Sequence, residues 1–206
     1  MSTFNTMVSR IADDINRSDI DTQIGLAINR AIAFYANKSR FWFNETTGTF
    51  STVANQLIYT SSVIPTDIAK IDYVQITLSS TNLYQLTPRL YNWVQDMNTG
   101  LITGQPTDYA YYSQQFYIYP IPTAIYTITV SYVKKYSTLS GTQTNDFTTY
   151  AEDLIEARAE AWIYQRILKD FENATASKAE EKEALQALQT ETTRIISTGK
   201  TFPTVF

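Results

Sequence analysis

The chain of 206 residues has a net charge of −4, which argues against a DNA-binding groove because neutralising phosphates requires clustered Lys and Arg. It contains no cysteine and no histidine, so disulfides, thiol nucleophiles, Cys/His zinc sites and histidine-based triads are excluded. Hydrophobic residues make up 44% of the chain and charged residues only 17%, which indicates a real core and a neutral, Tyr-rich surface suited to contact with other proteins.

Membrane insertion and secretion are not expected either. No apolar run approaches the roughly 20 residues needed to cross a bilayer. The first residues also lack the pattern of a signal peptide. We therefore expect a protein that is made in the cytosol and has no membrane partner.

Residues 1–40 predict two helices that form an antiparallel hairpin. Apolar residues recur at helical spacing from Thr3 to Asn16, and again from a cap at Ser18 as far as Tyr35. Gly25 interrupts the second stripe. Because Gly lowers helix propensity by up to ~1 kcal/mol, we expect another group to approach the backbone closely there.

Residues 41–136 predict an antiparallel β lobe of six or seven strands that begins at Phe41. Alternating side chains in the Asp72–Leu78 run, followed by Asn82–Thr87, predict a first hairpin. A short helix is then expected from Arg89 to Met97, after Pro88.

A second hairpin is predicted at the centre of the chain. Gln115–Tyr119 is aromatic-rich, and Ile125–Val133 alternates strictly, with Ile128 and Val130 on one face. Two prolines lie between these runs, and because proline cannot donate to a ladder, pairing must stop there. We therefore expect the two runs to pair across a loop of moderate length.

The sequence after residue 136 predicts a polar linker, 137–148, followed by two C-terminal helices within 149–198. Thr149 with Glu152 has the spacing of a capping box and predicts a helix as far as about Lys169; Ser177 with Glu180 predicts the start of the last helix. Blocks of helices, strands and helices in this order indicate an α+β fold. We expect the terminal helices to form one helical lobe and residues 1–206 to form a single domain.

Acidic residues are the only conceivable catalytic groups. They cluster in sequence, but on predicted helix starts or exposed faces, where carboxylates usually serve as caps and dipole partners. Glycosidase carboxylates must instead face each other across a cleft. The 141–146 loop lacks the ligand spacing of a calcium site. We therefore expect no enzyme activity, no metal and no cofactor; the acidic clusters are Asp13 with Asp14, Asp19 with Asp21, and Glu180 with Glu181 and Glu183.

Aromatic residues leave a second function open. Tyrosines on the central strands could stack on sugars or bases, so the β lobe is alternatively a binding module for carbohydrate or a host surface, although such residues more often belong to a core or interface. The three tryptophans are expected in the core, Trp162 against the second helix. The tyrosines are Tyr109, Tyr111, Tyr112, Tyr117 and Tyr119, and the other tryptophans are Trp42 and Trp93.

Several short segments together resemble those of a known family. They are Gly104, Pro106, Tyr109 and Ala110, then Tyr119, Pro120 and Pro122, then Tyr126, Val130 and Tyr132, together with Ser9–Asp14, Arg40–Asn44, Ile64–Ile68, Ile71–Asp72 and Ala151–Ala159. Through them, over roughly residues 1–200, the chain resembles the head–tail adaptor (connector) proteins of tailed bacteriophages. These are packing and turn residues, so the resemblance concerns fold and assembly and carries no reaction.

The resemblance implies a structural protein of the virion neck, at the head–tail junction, that is assembled in the host cytoplasm. It implies a ring-forming adaptor that binds the portal protein and joins it to a tail, nozzle or hub protein. It also implies a homo-oligomeric ring of twelve subunits. Genomic DNA is expected to pass through the ring without specific binding.

The segment 199–206 is predicted to be a docking tail after a helix stop at Gly199. Pro203 favours an extended conformation for Phe202. An extended apolar segment this short cannot build its own core and needs a groove or sheet edge. We expect it to dock on the portal or a neighbouring subunit through Phe202, Pro203, Val205 and Phe206; the alternative is that it folds back on its own β lobe.

Overall fold

The computed structural model describes residues 2–79 and 82–196. The described residues form six α-helices and nine β-strands in two compact units: a helical unit, residues 2–44 and 136–196, and a sheet unit, Glu45–Lys135. The α+β class predicted from the order of the elements is confirmed. The organisation of 1–206 as a single domain stays a prediction, and the predicted docking tail lies outside the described residues.

The helices are α1 (Phe4–Asp14), α2 (Asp21–Lys38), α3 (Tyr91–Asn98), α4 (Asp146–Tyr150), α5 (Glu152–Ile163) and α6 (Phe171–Ile196). The strands are β1 (Glu45–Ser51), β2 (Ile58–Tyr59), β3 (Ile68–Ser79), β4 (Asn82–Pro88), β5 (Thr103–Gly104), β6 (Asp108–Tyr112), β7 (Gln115–Tyr119), β8 (Ile121–Pro122) and β9 (Thr127–Lys134). Two irregular turns complete the chain, a 3₁₀ turn at Trp42–Asn44 and a π-helical turn at Tyr164–Leu168.

The first and last helices pack around one apolar core, as predicted. Ile28 of α2, Phe147 of α4 and Ile155 of α5 are fully buried in it. The close approach expected at Gly25 is confirmed, because a Cβ atom at this position would lie 2.8 Å from Cζ of Phe4 in α1. The glycine therefore allows α1 to approach the backbone of α2.

The helix starts predicted from polar side chains are wrong. Ser18 does not cap α2, which begins after Ile20 without a side-chain cap. The capping box near α5 belongs instead to Asn145 and Thr148 of α4, so α4 takes the last three residues of the predicted linker. Ser177 lies inside α6, where its hydroxyl donates to a backbone carbonyl. Asn145 caps α4 and Asp170 accepts from the N–H of Asn173 at the start of α6; the i, i+3 spacing alone does not show which polar residue will act as a cap.

The large sheet contains seven strands in the order β1-β9-β3-β4-β6-β7-β2, and β5 pairs with β8 separately. The predicted hairpin of β3 and β4 is confirmed. The lobe is mixed rather than wholly antiparallel, since β4 pairs with β6 and β5 with β8 in parallel. Parallel neighbours require a crossover, and the chain between β4 and β6 includes α3.

The predicted central hairpin is wrong, because β7 pairs with β6 and β2 whereas β9 lies between β1 and β3. The β6–β7 connection is a two-residue turn, Ser113-Gln114, in which both residues have positive φ. Such turns usually carry Asn or Gly, so the sequence gives no signal for this one. Ile121 and Pro122 then form β8, which separates β7 from β9.

One face of the sheet forms the core of the sheet unit. Ile128 and Val130 are fully buried on it, which confirms the alternation predicted for β9. The sheet curls, so that the ring of Phe50 in β1 lies 5.4 Å from the rings of both Tyr59 in β2 and Phe116 in β7. The inner faces of the two outer strands therefore meet.

Two predictions are wrong: the position at which strand structure begins, and the burial of the three tryptophans. Strand structure does not begin at Phe41, because Trp42–Asn44 forms a 3₁₀ turn and the first strand starts at Glu45. The three tryptophans are half-buried at the margins of the cores rather than inside them. Trp162, for example, packs beneath the guanidinium of Arg30 in α2, 5.1 Å from its ring. An indole is large and rarely becomes fully buried.

Candidate assembly surface

The outer side of the large sheet is only partly covered. α3 packs over β6 and β7, where Val94 meets Ala110, Tyr117 and Tyr119. The neighbouring strands β4, β3, β9 and β1 have no such cover among the described residues. Their side chains alternate between the buried inner face and this uncovered outer face.

The name open face is used here for the part of this surface that lies beyond the row of Glu45, Val133 and Lys70, and this part carries no charged residue. The register places twelve side chains on it, three from each strand, and none of them is buried. Tyr73 is 41% exposed and Leu83 is 56% exposed. The twelve are Thr47, Thr49 and Ser51 of β1, Thr127, Thr129 and Ser131 of β9, Tyr73, Gln75 and Thr77 of β3, and Leu83, Gln85 and Thr87 of β4.

The charged side chains of these four strands lie together at one end of the sheet, next to the start of β1. They are Glu45, Lys70, Asp72 and Lys134, and the register sets Glu45 opposite Val133 and Ile68 opposite Lys134. The open face itself has only neutral hydroxyl, amide, aromatic and aliphatic groups. Removing such groups from water costs far less than removing charges, so the open face suits burial against another protein.

The open face ends at an unpaired strand edge, the outer side of β1. The backbone N–H of Thr52 donates to the carbonyl of Tyr126 at 2.8 Å. Because bonded and non-bonded pairs alternate in an antiparallel ladder, the N–H and C=O groups of Thr47, Thr49 and Ser51 point away from β9. No other described segment forms a backbone hydrogen bond with these three residues.

The tyrosines considered for sugar or base stacking do not form a common platform. Tyr109, Tyr117 and Tyr119 are buried, so the interpretation of these residues as core is confirmed for all three. Burial raises the pKa of the hydroxyls of Tyr109 and Tyr111. Tyr112 is 55% exposed and stacks on the ring of Tyr91, with centroids 4.4 Å apart.

Carboxylates from three helices converge in the helical unit. They line a groove of about 230 Å³ between α1, α5 and α6. Burial raises the pKa of Glu156 to about 7, an effect that Arg10 opposes. Burial, together with Asp14 and Glu180, raises the pKa of Glu160 to about 7. The residues are Asp14, Asp153, Glu156, Glu160 and Glu180.

The sequence analysis treated Asp14 and Glu180 as separate helix-surface charges and missed their α5 partners. The sequence does contain a signal for these α5 partners, because Asp153, Glu156 and Glu160 recur at i, i+3 and i+7 on one face of α5. Among residues 2–79 and 82–196, no group of acidic side chains has the arrangement of a metal site. The groove is therefore a concentration of unfavourable charge rather than a site with a known ligand.

Asp19 and two polar residues of the 141–146 loop have structural partners. Arg17 donates to both carboxylate oxygens of Asp19, at 2.6 and 2.7 Å, and lowers its pKa. In the 141–146 loop, Asp146 accepts a hydrogen bond from the hydroxyl of Tyr136 at 2.8 Å, and Asn145 caps α4. These side chains support local structure.

Comparison with known proteins shows which family the chain belongs to. No helix within the described part of the chain has the length and apolar character needed to span a membrane. No curated protein matches the sequence. The family model described as SU10 adaptor protein matches residues 2–200, nearly the whole chain, and confirms the resemblance to phage head–tail adaptors. The chain therefore belongs to the SU10 adaptor protein family, a family of structural phage proteins.

Proposed function

We propose that the protein is a ring-forming head-to-tail adaptor of the virion neck, which binds the portal and joins it to a tail, nozzle or hub protein. The match to the adaptor family over residues 2–200 supports this assignment. The role is structural and requires no catalytic residue. Twelve subunits would match the ring expected of a portal, and the assembled ring would form part of the DNA exit channel.

The observation that carries the proposal is the uncharged open face of the sheet unit. A subunit that must bind its neighbours repeatedly needs a surface that is cheap to desolvate, and an interface core is depleted of charge. The open face offers Tyr73 and Leu83 as exposed apolar anchors. Burying this face between subunits would satisfy both requirements.

Passage of DNA is proposed to occur without specific binding. Each Lys or Arg contact to a phosphate adds salt-dependent affinity that slows movement. Within the sheet unit the basic residues are few, and Arg89 is engaged by Asp108, with Nε 2.6 Å from Oδ1. We expect a channel wall in which Lys134 and Lys135 do not form a basic ring around the lumen.

The docking tail remains part of the proposal. Phe202, Pro203, Val205 and Phe206 would attach a subunit to the portal or to its neighbour. The support for this role is the apolar composition of residues 202–206, whose side chains carry no charge and are too few to form a core of their own.

Reconstitution with purified portal tests the proposed function. We expect native mass spectrometry to show twelve copies added to a portal ring. Tyr73→Asp combined with Leu83→Asp should abolish assembly and leave the melting temperature unchanged. The matched control is Leu26→Asp, which charges an exposed leucine of α2 (48% exposed) and should assemble normally. Failure of the wild-type chain to bind portal would refute the proposal.

A binding module for carbohydrate or a host surface is the alternative. The observation in its favour is the stack of half-buried Tyr91 with exposed Tyr112, since aromatic faces of this kind can bind sugars. A monomer that binds glycans, loses that binding on Tyr112→Ala and ignores portal would establish the alternative.

A further inference from the structure

The helical unit has a basic flank on the side of α5 that lies away from the acidic groove. Arg158 and Trp162 of α5 and Lys178 of α6 line a shallow pocket of about 110 Å³ there. Lys178 and Lys182 are both exposed and lie one turn apart on α6. We define the basic flank by its five cations, which are Arg30, Lys38, Arg158, Lys178 and Lys182.

The ring of Phe34 in α2 packs against two of these cations. Cζ of Arg158 lies 3.3 Å from the centroid of this ring, and Nζ of Lys38 lies 4.6 Å from the same centroid. Glu181 of α6 also lines the pocket, where its carboxylate accepts hydrogen bonds from Arg158 and from the hydroxyl of Tyr35. One carboxylate among five cations leaves the flank with an excess of positive charge.

The acidic groove and the basic flank lie on opposite sides of the same two helices. Glu156 and Arg158 of α5 are two residues apart, which corresponds to about 200° around a helix. In α6, Glu180 lies two residues from both Lys178 and Lys182. The α5–α6 pair therefore presents negative charge on one side and positive charge on the other.

We propose that the acidic groove of one copy binds the basic flank of the next copy, so that successive helical units join head to tail. The inference deepens the proposed ring assembly and rests on it. Complementary surfaces on different sides of every copy form a heterologous contact, and such contacts close into rings when the rotation allows it. A symmetric contact would instead bring like charges together.

The carboxylates of the acidic groove are poorly compensated within one copy. Arg10 of α1 approaches Glu156, with Nη2 3.4 Å from Oε1, but five carboxylates from three helices line the groove. The raised pKa of Glu160, to which Asp14 and Glu180 contribute, has the same cause. Asp14 and Glu180 are exposed, so lysines of a neighbouring copy can reach them. Their ammonium groups would relieve the repulsion and fix the register of the contact.

Trp162 and Arg30 give the basic flank an anchor at its centre. The indole is half-buried beneath the guanidinium of Arg30 and borders the pocket. Tryptophan and arginine are enriched among the residues that dominate the binding energy of protein interfaces. This pair would supply contact area, while the surrounding lysines select the acidic partner.

Charge exchange between copies tests the inference. One variant carries Lys178→Glu with Lys182→Glu, and the other carries Asp14→Lys with Glu180→Lys. All four positions are exposed, so both variants should fold and melt close to wild type. Each variant alone places like charges at every contact and should form at least about tenfold fewer rings on portal, because juxtaposed like charges oppose binding strongly.

An equal mixture of the two variants restores opposite charges at every contact. We expect rings in which the variants alternate, and native mass spectrometry of differently tagged chains should show equal numbers of each. The matched control is Lys70→Glu with Lys135→Glu, which changes the net charge as much as the lysine variant but on exposed positions of the sheet unit, and it should assemble normally.

Rings from either variant alone would overturn the inference and leave the proposed function standing, as would a mixture that forms no rings while wild type assembles. Normal rings that lose only their retention of DNA on Lys178→Glu with Lys182→Glu would show that the basic flank contacts DNA, and would also overturn it. Absence of rings from wild-type chains with portal would remove both the inference and the proposed function.

Discussion

Gly48→Ala tests the packing of the core against β1. Gly48 pairs with Val130 on the core side of β1. A Cβ atom at this position would overlap Cγ of Pro65 and lie 3.3 Å from Cε1 of Tyr132. The ring of Pro65 is rigid. Tyr132 is held by a hydrogen bond from its hydroxyl to Asp67 Oδ1, at 2.7 Å. Neither neighbour can move without cost.

The expected change in the free energy of unfolding is the difference between two opposing contributions. Inserting a methyl group into a packed core costs about 1–3 kcal/mol, whereas replacing Gly by Ala within a strand recovers about 0.5–1 kcal/mol. The net destabilisation should be about 1–2 kcal/mol. In a chain of this size each kcal/mol lowers the melting temperature by about 2–4 °C, so the variant should melt several degrees early.

Urea and thermal unfolding measure the loss, with Gly104→Ala as the control. A Cβ atom at Gly104 would meet Pro120 at 3.7 Å, an ordinary contact, so this variant should stay close to wild type. Adding Pro65→Ala to Gly48→Ala should return part of the loss, because it removes the clashing Cγ. A Gly48→Ala protein with wild-type stability, or a cost unchanged by Pro65→Ala, would refute the reasoning.

Three further predictions concern the helical unit and the tail. Glu160→Gln should raise the melting temperature at pH 8 and have little effect at pH 4. Because the folded pKa of about 7 lies above the ordinary value of 4.5, the stability contributed by the proton is complete below pH 4.5 and disappears as the pH rises through 7; an equal effect at both pH values would contradict this. Trp162→Ala should cost about 1–2 kcal/mol by urea unfolding, less than the 3–5 kcal/mol of a fully buried aromatic, since the ring is half-buried beneath Arg30; insoluble protein would show that the ring belongs to the core. Removal of Thr201–Phe206 should leave the melting temperature of the isolated chain unchanged but abolish assembly on portal, as measured by co-sedimentation; early unfolding would mean that the segment supports its own subunit.

Local patterns in the sequence were sufficient for the class of fold and for several elements. The period-two alternation of β9 identified Ile128 and Val130 as core, and the β3–β4 hairpin followed from neighbouring strands. Gly25 indicated a close approach before its partner was known. The alternation of β9 depends on residues within one strand, where backbone geometry alone determines which face a residue occupies.

The partners of the strands and the sites on the surface depended on the tertiary structure. β9 pairs with residues of β1 and β3 that lie fifty or more positions earlier in the chain, and no local period specifies such a partner. The carboxylates of the acidic groove come from three helices, so only their packing brings Asp14 next to Glu160 and Glu180. The open face likewise consists of Thr, Ser and Gln residues, with Tyr73 and Leu83, that are scattered along the sequence. It becomes a continuous uncharged surface because four strands align in one register and α3 covers a different part of the sheet.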